Sequence, residues 1–208
     1  MNGSNSADRP LQAHSLAELY LYLAVTPCPN CGRGPLAGDR ARPSPDAPVG
    51  RLAITPTCKS CKHRFELVFD VPADQLAEPD QTSPTNHVIV NPSQQRSAII
   101  DVAGWITLFR AITQAAADAE DKVEARYLGL EAAQCLEEAL KFYDPDNDLP
   151  PASALFHDQS RNLLRDHPDR FARSRLVGLR SKLPSLDVMQ RQLAAGDKAR
   201  QPWWKLWN

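Results

Sequence analysis

Two Cys-x-x-Cys pairs, Cys28–Cys31 and Cys58–Cys61, are the feature that most limits what this chain can fold into. Two cysteines three positions apart can reach one ion from a tight turn, and Zn²⁺ prefers four ligands at the corners of a tetrahedron. Gly32 allows a positive φ directly after the first pair. Lys62 stands at the equivalent place after the second pair, so we expect a less regular turn there. The two pairs predict one metal site, with Cys28, Cys31, Cys58 and Cys61 as its ligands.

Other chemistries of paired cysteines stay open beside structural zinc. A Cys-x-x-Cys pair can cycle between dithiol and disulfide, and four thiolates can also hold iron in a rubredoxin-like site. Haem attachment does not fit, because it needs His directly after the second cysteine, and Lys62 stands there before His63. A closed site of four cysteines has no open position for water, so we expect no metal-assisted catalysis at it.

Around the cysteines, residues 20–72 resemble a zinc ribbon. The matching residues are Cys28-Pro-x-Cys31-Gly32 as the first knuckle and Cys58-x-x-Cys61 as the second. Two apolar stretches, 51–55 and 63–69, are predicted strands beside them. The resemblance implies a β-hairpin fold and a structural Zn²⁺ ion. It implies no single activity, since zinc ribbons serve nucleic-acid binding, protein binding and accessory roles in enzymes.

Composition and charge favour a cytoplasmic protein. The fifth cysteine, Cys135, is left alone, which is typical of a reducing compartment. Residues 1–14 are polar and lack the apolar core of a signal peptide. The longest apolar run, 98–109, is interrupted by Asp101 and is too short to form a transmembrane segment. A net charge of −1 gives no general attraction to nucleic acid.

The pattern along the chain predicts an α+β fold, with a small N-terminal β zinc ribbon followed by a mainly α-helical bundle. Twelve of the eighteen prolines precede residue 93, which indicates a change of structure there. The predicted parts are a disordered leader (1–14), the ribbon with a short preceding helix (15–72), a Pro-rich linker (73–96), the helical bundle (97–195) and a Trp-rich C-terminal tail (196–208).

Apolar residues at helical spacing predict the elements of the bundle. The predicted helices are 97–118, 121–143, 150–166, 169–183 and 186–195. Ser15, with Glu18 three residues later, is typical of a capping box and predicts a short helix before the first cysteine. A strand over 20–25 is the alternative, because aromatic and apolar residues are frequent there. The linker is too rich in proline and polar residues to contribute a core of its own.

Basic residues near the cysteines have two interpretations. Arg33, Lys59, Lys62 and Arg64 could form a nucleic-acid-binding face, or they could offset the net charge of −2 on one Zn²⁺ ion and four thiolates. In the helical part, residues 161–182 are basic and residues 118–148 are acidic. The two segments could pair with each other or mediate self-association, or the basic segment could bind an acidic partner or a phosphate backbone.

No catalytic constellation stands out, so we expect no enzyme. The first hypothesis is an interaction or scaffold protein that binds a protein partner. The alternative is a nucleic-acid-associated factor that uses the basic residues of the ribbon and of 161–182. The tail carries Trp203, Trp204, Lys205, Leu206 and Trp207. It could fold back on the bundle, dock in a partner's groove, or make peripheral contact with a membrane.

Overall fold

The computed structural model describes residues 9–38, 40–44, 47–76, 89–183 and 185–194, and these form an α+β structure. The strands are β1 (Leu11–Gln12), β2 (Leu36–Ala37), β3 (Arg42–Pro43), β4 (Arg51–Ile54), β5 (Thr57–Cys58) and β6 (Leu67–Asp70). The helices are α1 (Leu16–Val25), α2 (Val102–Asp118), α3 (Lys122–Leu140), α4 (Asp158–Asp166), α5 (Arg173–Arg180) and α6 (Leu186–Ala194). Short 3₁₀ turns cover Ala73–Gln75, Ala152–Ala154 and Pro168–Phe171.

The strands form two small sheets. One has the order β1-β6-β4-β3, in which β1 runs parallel to β6 and the other pairs are antiparallel. The other sheet pairs β2 with β5, so that Leu36 lies opposite Cys58. The strand predicted at 51–55 is β4, but the strand predicted at 63–69 is regular only from Leu67, after one isolated bridge at Arg64.

Gly50 fixes the close approach of β4 to the end of β6. Its φ is +100°, and a Cβ atom built there would lie 2.3 Å from the carbonyl oxygen of Val71. That distance is far inside van der Waals contact, and the oxygen belongs to backbone rather than to a movable side chain. The Gly50 carbonyl also accepts a hydrogen bond from the Val71 N–H. Only glycine suits both the angle and the space.

We expect Gly50→Ala to lower the free energy of unfolding by about 3 kcal/mol, because strain at a positive φ adds to a backbone clash. Gly178→Ala is the matched control: it lies within α5, and no atom lies within 4 Å of its added Cβ. That control should be neutral or slightly stabilising, as Ala is the better helix former. Urea denaturation of the two variants provides the measurement. Equal stabilities would contradict this account of the turn.

Helix α1 lies between the sheets and the other helices. Ser15 caps it by accepting a hydrogen bond from the backbone N–H of Glu18, as the capping motif predicts. The Glu18 carboxylate, however, accepts from the N–H of His14 rather than from that of Ser15. Leu19, Leu21 and Leu23 are all buried, so α1 is covered on more than one side. It contacts both β2 and α2 and thus joins the two parts of the structure.

The helical part is built on the antiparallel pair α2 and α3, which share the most extensive contact between any two elements. Asp101 and Asp121 cap these helices through side-chain oxygens that accept backbone N–H groups. Trp105 of α2 is fully buried. The predicted third helix begins later than expected, because Ala152–Ala154 forms a separate 3₁₀ turn and α4 starts only at Asp158. One continuous apolar core extends from the β region into the helices.

The described part of the predicted linker, 89–96, packs against the rest of the structure and adds Val90 to the shared core. Val90 is buried, and its backbone forms hydrogen bonds with the side chains of Ser15 and Gln134. The Asn91 amide donates to the Glu138 carboxylate over 2.9 Å. The segment therefore connects α1 to α3, and its polar groups are satisfied by helix side chains that lie far away in sequence.

Two titratable groups beside this segment bind protons more tightly in the folded protein. The hydrogen bond from His14 Nδ1 to the Glu18 carboxylate, 3.0 Å long, raises the pKa of His14. Burial raises the pKa of Glu138, although Lys141 Nζ lies 2.6 Å from its carboxylate. Each folded-state pKa lies above the unfolded value. The stabilisation linked to His14 is therefore complete below its unfolded pKa and disappears as pH rises through its folded pKa.

We therefore expect the free energy of unfolding to fall as pH rises from 6 to 8, because His14 loses its proton and with it the charge that strengthens its hydrogen bond to Glu18. His14→Gln removes the titrating ring but keeps a donor for Glu18. Urea denaturation at both pH values should show a flatter dependence in this variant. An unchanged slope would assign the pH dependence to groups other than His14.

Candidate metal centre

The two cysteine pairs form two turns of matching geometry. In the first turn, the N–H of Gly32 donates to the Cys28 carbonyl over 2.8 Å. In the second, the N–H of Lys62 donates to the Cys58 carbonyl over 2.9 Å. Gly32 has φ +66° and Lys62 has φ +63°, so both residues lie in the left-handed region. The expectation of a less regular second turn is therefore wrong. Lys62 adopts a conformation that usually favours glycine.

The matching turns bring the four thiols together across the site. Sγ of Cys28 lies 3.7 Å from Sγ of Cys61, and Sγ of Cys31 lies 3.7 Å from Sγ of Cys58. All four sulfur atoms lie within 4.8 Å of one another. A tetrahedron of sulfur atoms about 2.3 Å from a central Zn²⁺ ion has edges of about 3.8 Å. The cluster therefore has nearly the size that a four-thiolate metal site requires. The cysteines could bind one metal ion.

The pKa values of Cys61 and Cys31 are shifted in opposite directions. The backbone N–H of His63 and the side-chain amide of Asn30, which lies 3.6 Å from Sγ of Cys61, lower the pKa of Cys61 to about 6. The backbone N–H of Arg33 favours the thiolate of Cys31. Burial and the three neighbouring sulfurs outweigh it and raise the pKa of Cys31 to about 12. Four sulfurs this close cannot all ionise without a cation, which is the charge balance that a bound divalent metal supplies.

Burial differs across the cluster. Cys28 and Cys58 are buried, Cys31 is partly buried and Cys61 lies at the surface. The cysteine spacing did not predict the contact between the Asn30 amide and Sγ of Cys61. Asn30 lies inside the first Cys-x-x-Cys pair, where its side chain is close enough to donate to a sulfur atom. The fifth cysteine, Cys135, is buried in α3 and lies outside the cluster. Burial raises its pKa well above the usual value.

The basic residues predicted near the site are exposed around the two turns. Arg33, Lys59, Lys62 and Arg64 all lie on the surface. Beside them, the exposed ring of His63 stacks on the ring of Phe65, with 5.7 Å between the ring centres and an angle of 19° between the planes. Sequence reasoning treated His63 as a strand residue and did not predict this aromatic pair.

The basic segment 161–182 is largely paired with acids. Arg161, Arg165 and Arg175 form ion pairs with Asp158, Asp166 and Asp169 respectively, all close in sequence. Arg180 reaches Glu137 of the acidic segment. The predicted pairing of the two segments thus exists at Arg180, while the other three pairs are local. The tail residues Trp203, Trp204, Lys205, Leu206 and Trp207 lie outside the described residues.

Comparison with known protein families, curated proteins and solved structures finds no match to this chain. The fold and the site define it as an α+β protein with a four-cysteine cluster that could bind a metal. In the described ranges, no helix is both long enough and apolar enough to cross a membrane.

Proposed function

We propose that Cys28, Cys31, Cys58 and Cys61 hold a structural Zn²⁺ ion in a zinc-ribbon-like unit, and that the protein is a non-enzymatic interaction protein. The observation that carries the proposal is the pair of matching turns with their 3.7 Å distances between sulfur atoms. Zn²⁺ with four thiolates has no open coordination position, so the ion would supply folding free energy and no reaction. The two turns would then be fixed relative to α1.

The interaction role rests on the absence of a catalytic arrangement in the sequence and on the composition of the tail. Three tryptophans in the last eight residues are an unusual concentration of anchor residues for a chain end. The partner is a protein with an apolar groove that accepts such side chains. Peripheral contact with a membrane is the other destination that this composition fits.

A nucleic-acid-associated role is the second candidate, and the stacked pair His63 and Phe65 is the observation that favours it. An aromatic surface next to Arg33, Lys59, Lys62 and Arg64 suits a stacked base and its phosphates. The ion pairs of Arg161, Arg165 and Arg175 weaken the contribution expected from 161–182.

The experiment compares the full chain with a chain that lacks residues 201–208, both loaded with zinc. We expect deletion to abolish capture of the main protein partner while thermal stability stays nearly unchanged. A melting temperature lower by more than a few degrees would instead favour a tail that covers the protein itself. Binding of single-stranded RNA that falls steeply between low and moderate salt, and that is unaffected by the deletion, would favour the second candidate.

A further inference from the structure

The sulfur–sulfur contacts of the cysteine cluster run from one turn to the other. Sγ of Cys28 lies 3.7 Å from Sγ of Cys61, and Sγ of Cys31 lies 3.7 Å from Sγ of Cys58. Within the described residues, these two cross pairs are the thiols in hydrogen-bonding geometry with each other. A disulfide brings two sulfur atoms to about 2.05 Å. Each cross pair therefore needs only a short movement of its side chains to form one.

Cys61 is the thiol of the cluster that solvent reaches most easily. It lies at the surface, whereas Cys31 is partly buried and both Cys28 and Cys58 are buried. The residues on either side of Cys61 in sequence are exposed as well. Oxidation of cysteine favours accessible sulfur atoms and is completed by a second thiol beside the first. Cys61 meets the first condition, and Cys28, at 3.7 Å, meets the second.

We propose that Cys61 is a site of oxidation by hydrogen peroxide, and that the oxidised cluster carries two disulfides across the turns in place of the metal. The proposal rests on the proposed Zn²⁺ site, because the metal-bearing form is its starting state. The Cys61 thiolate attacks one peroxide oxygen, the O–O bond breaks and hydroxide leaves, so that Cys61 becomes a sulfenic acid. The Cys28 thiolate then attacks the Cys61 sulfur, the S–O bond breaks and a second hydroxide leaves.

A second peroxide molecule joins Cys31 to Cys58 by the same two steps. Together, the four thiolates lose four electrons, the two peroxide molecules gain them, and four hydroxide ions leave, so atoms and charge balance. A disulfide sulfur lacks the negative charge with which a thiolate binds a divalent cation. Oxidation therefore exchanges one Zn²⁺ ion for two covalent links.

The cross pairs connect the same two turns that the metal would connect. Cys28 and Cys61 are 33 positions apart, and Cys31 and Cys58 are 27 positions apart. A link over such a loop restricts the unfolded chain more than a link within one Cys-x-x-Cys pair, which would also leave the two turns unconnected. We therefore expect the β region to stay folded after oxidation, although it unfolds when the metal is removed from the reduced chain. The cluster is a redox switch between two folded forms.

The test treats the zinc-loaded full chain with hydrogen peroxide, in the presence of a dye that reports free Zn²⁺. About two equivalents of peroxide should release about one Zn²⁺ ion per chain. Remaining thiols are then blocked with N-ethylmaleimide in denaturant, and the unreduced tryptic peptides are identified by tandem mass spectrometry. Cleavage after Lys59 separates Cys58 from Cys61, so links across the turns are distinguished from a link within the second pair. With one equivalent of peroxide, we expect the Cys28–Cys61 link first.

Amide NMR of the isotope-labelled chain tests whether the oxidised form is folded. The signals of β4 and β6 should stay dispersed after oxidation, and they should collapse when a chelator removes the metal from the reduced chain. A reductant added together with Zn²⁺ should restore the original spectrum. Cys135→Ser is the control, because Cys135 is buried outside the cluster. This variant should change neither the release of zinc nor the pairing of the other cysteines.

The proposal is overturned by disulfides within the Cys-x-x-Cys pairs, by a first link other than Cys28–Cys61, or by collapse of the β4 and β6 signals on oxidation. Thiols that stay reduced in excess peroxide, or that end as sulfonic acids, would overturn it as well. The zinc content of the untreated chain is a separate measurement. A chain without zinc would contradict the proposed metal role, whereas the pairing in that chain would still decide whether oxidation links the two turns.

Discussion

Replacing Cys28 by Ser is expected to release about one Zn²⁺ ion per chain and to unfold the region from residue 28 to residue 71. A structural zinc site contributes roughly 10–16 kcal/mol of apparent binding free energy. The total stability of a typical domain is only about 5–15 kcal/mol. Cys28 is buried and its sulfur lies 3.7 Å from that of Cys61, so Ser cannot replace it without breaking the cluster. Elemental analysis and far-UV circular dichroism measure the two effects.

Cys135→Ala is the matched control for this change. It also removes a buried cysteine, but one that lies in α3 outside the cluster. We expect it to keep the zinc and to lose about 1 kcal/mol from the small cavity that it creates. The helices α2 and α3 should stay paired in both variants, because their apolar contact does not involve the cysteine cluster. A zinc-free wild-type protein with an intact β region would contradict the metal assignment.

Trp105→Ala is expected to lower the free energy of unfolding by about 3–5 kcal/mol, the usual cost of removing a large aromatic side chain from a core. Trp105 is the largest fully buried side chain among the described residues. It lies on α2, a helix that contacts both α1 and α3, and it belongs to the core that joins both parts of the structure. Its loss therefore affects the β region as well as the helices. Urea denaturation of the zinc-loaded chain, followed by circular dichroism, measures the change.

Trp105→Phe provides the comparison for Trp105→Ala. The indole N–H of Trp105 has no acceptor among the described residues. Phe removes that unpaired donor together with part of the volume, so the two effects oppose each other. We expect Phe to cost clearly less than Ala. Equal losses for the two variants, or a loss below about 1 kcal/mol for Ala, would show that this part of the core is loosely packed.

The sequence alone predicted the local features of this protein. The two Cys-x-x-Cys spacings predicted which four thiols meet, and Ser15 predicted where α1 begins. The helical periodicity located α2 and α3 to within five residues at each end. These features depend on neighbours within a few positions, such as a capping side chain or an apolar face. They are therefore visible without knowledge of the fold.

The tertiary structure decided the features that depend on residues far apart in sequence. Lys62 takes a left-handed conformation, as Gly32 does. It directly follows Cys58 and Cys61, which form one cluster with Cys28 and Cys31. Val90 is buried beside two distant side chains: the Ser15 hydroxyl, 75 positions away, donates to its carbonyl, and the Gln134 side-chain oxygen, 44 positions away, accepts its N–H. Composition assigns such residues to turns, linkers and surfaces, since their burial is determined by distant partners that no local pattern specifies.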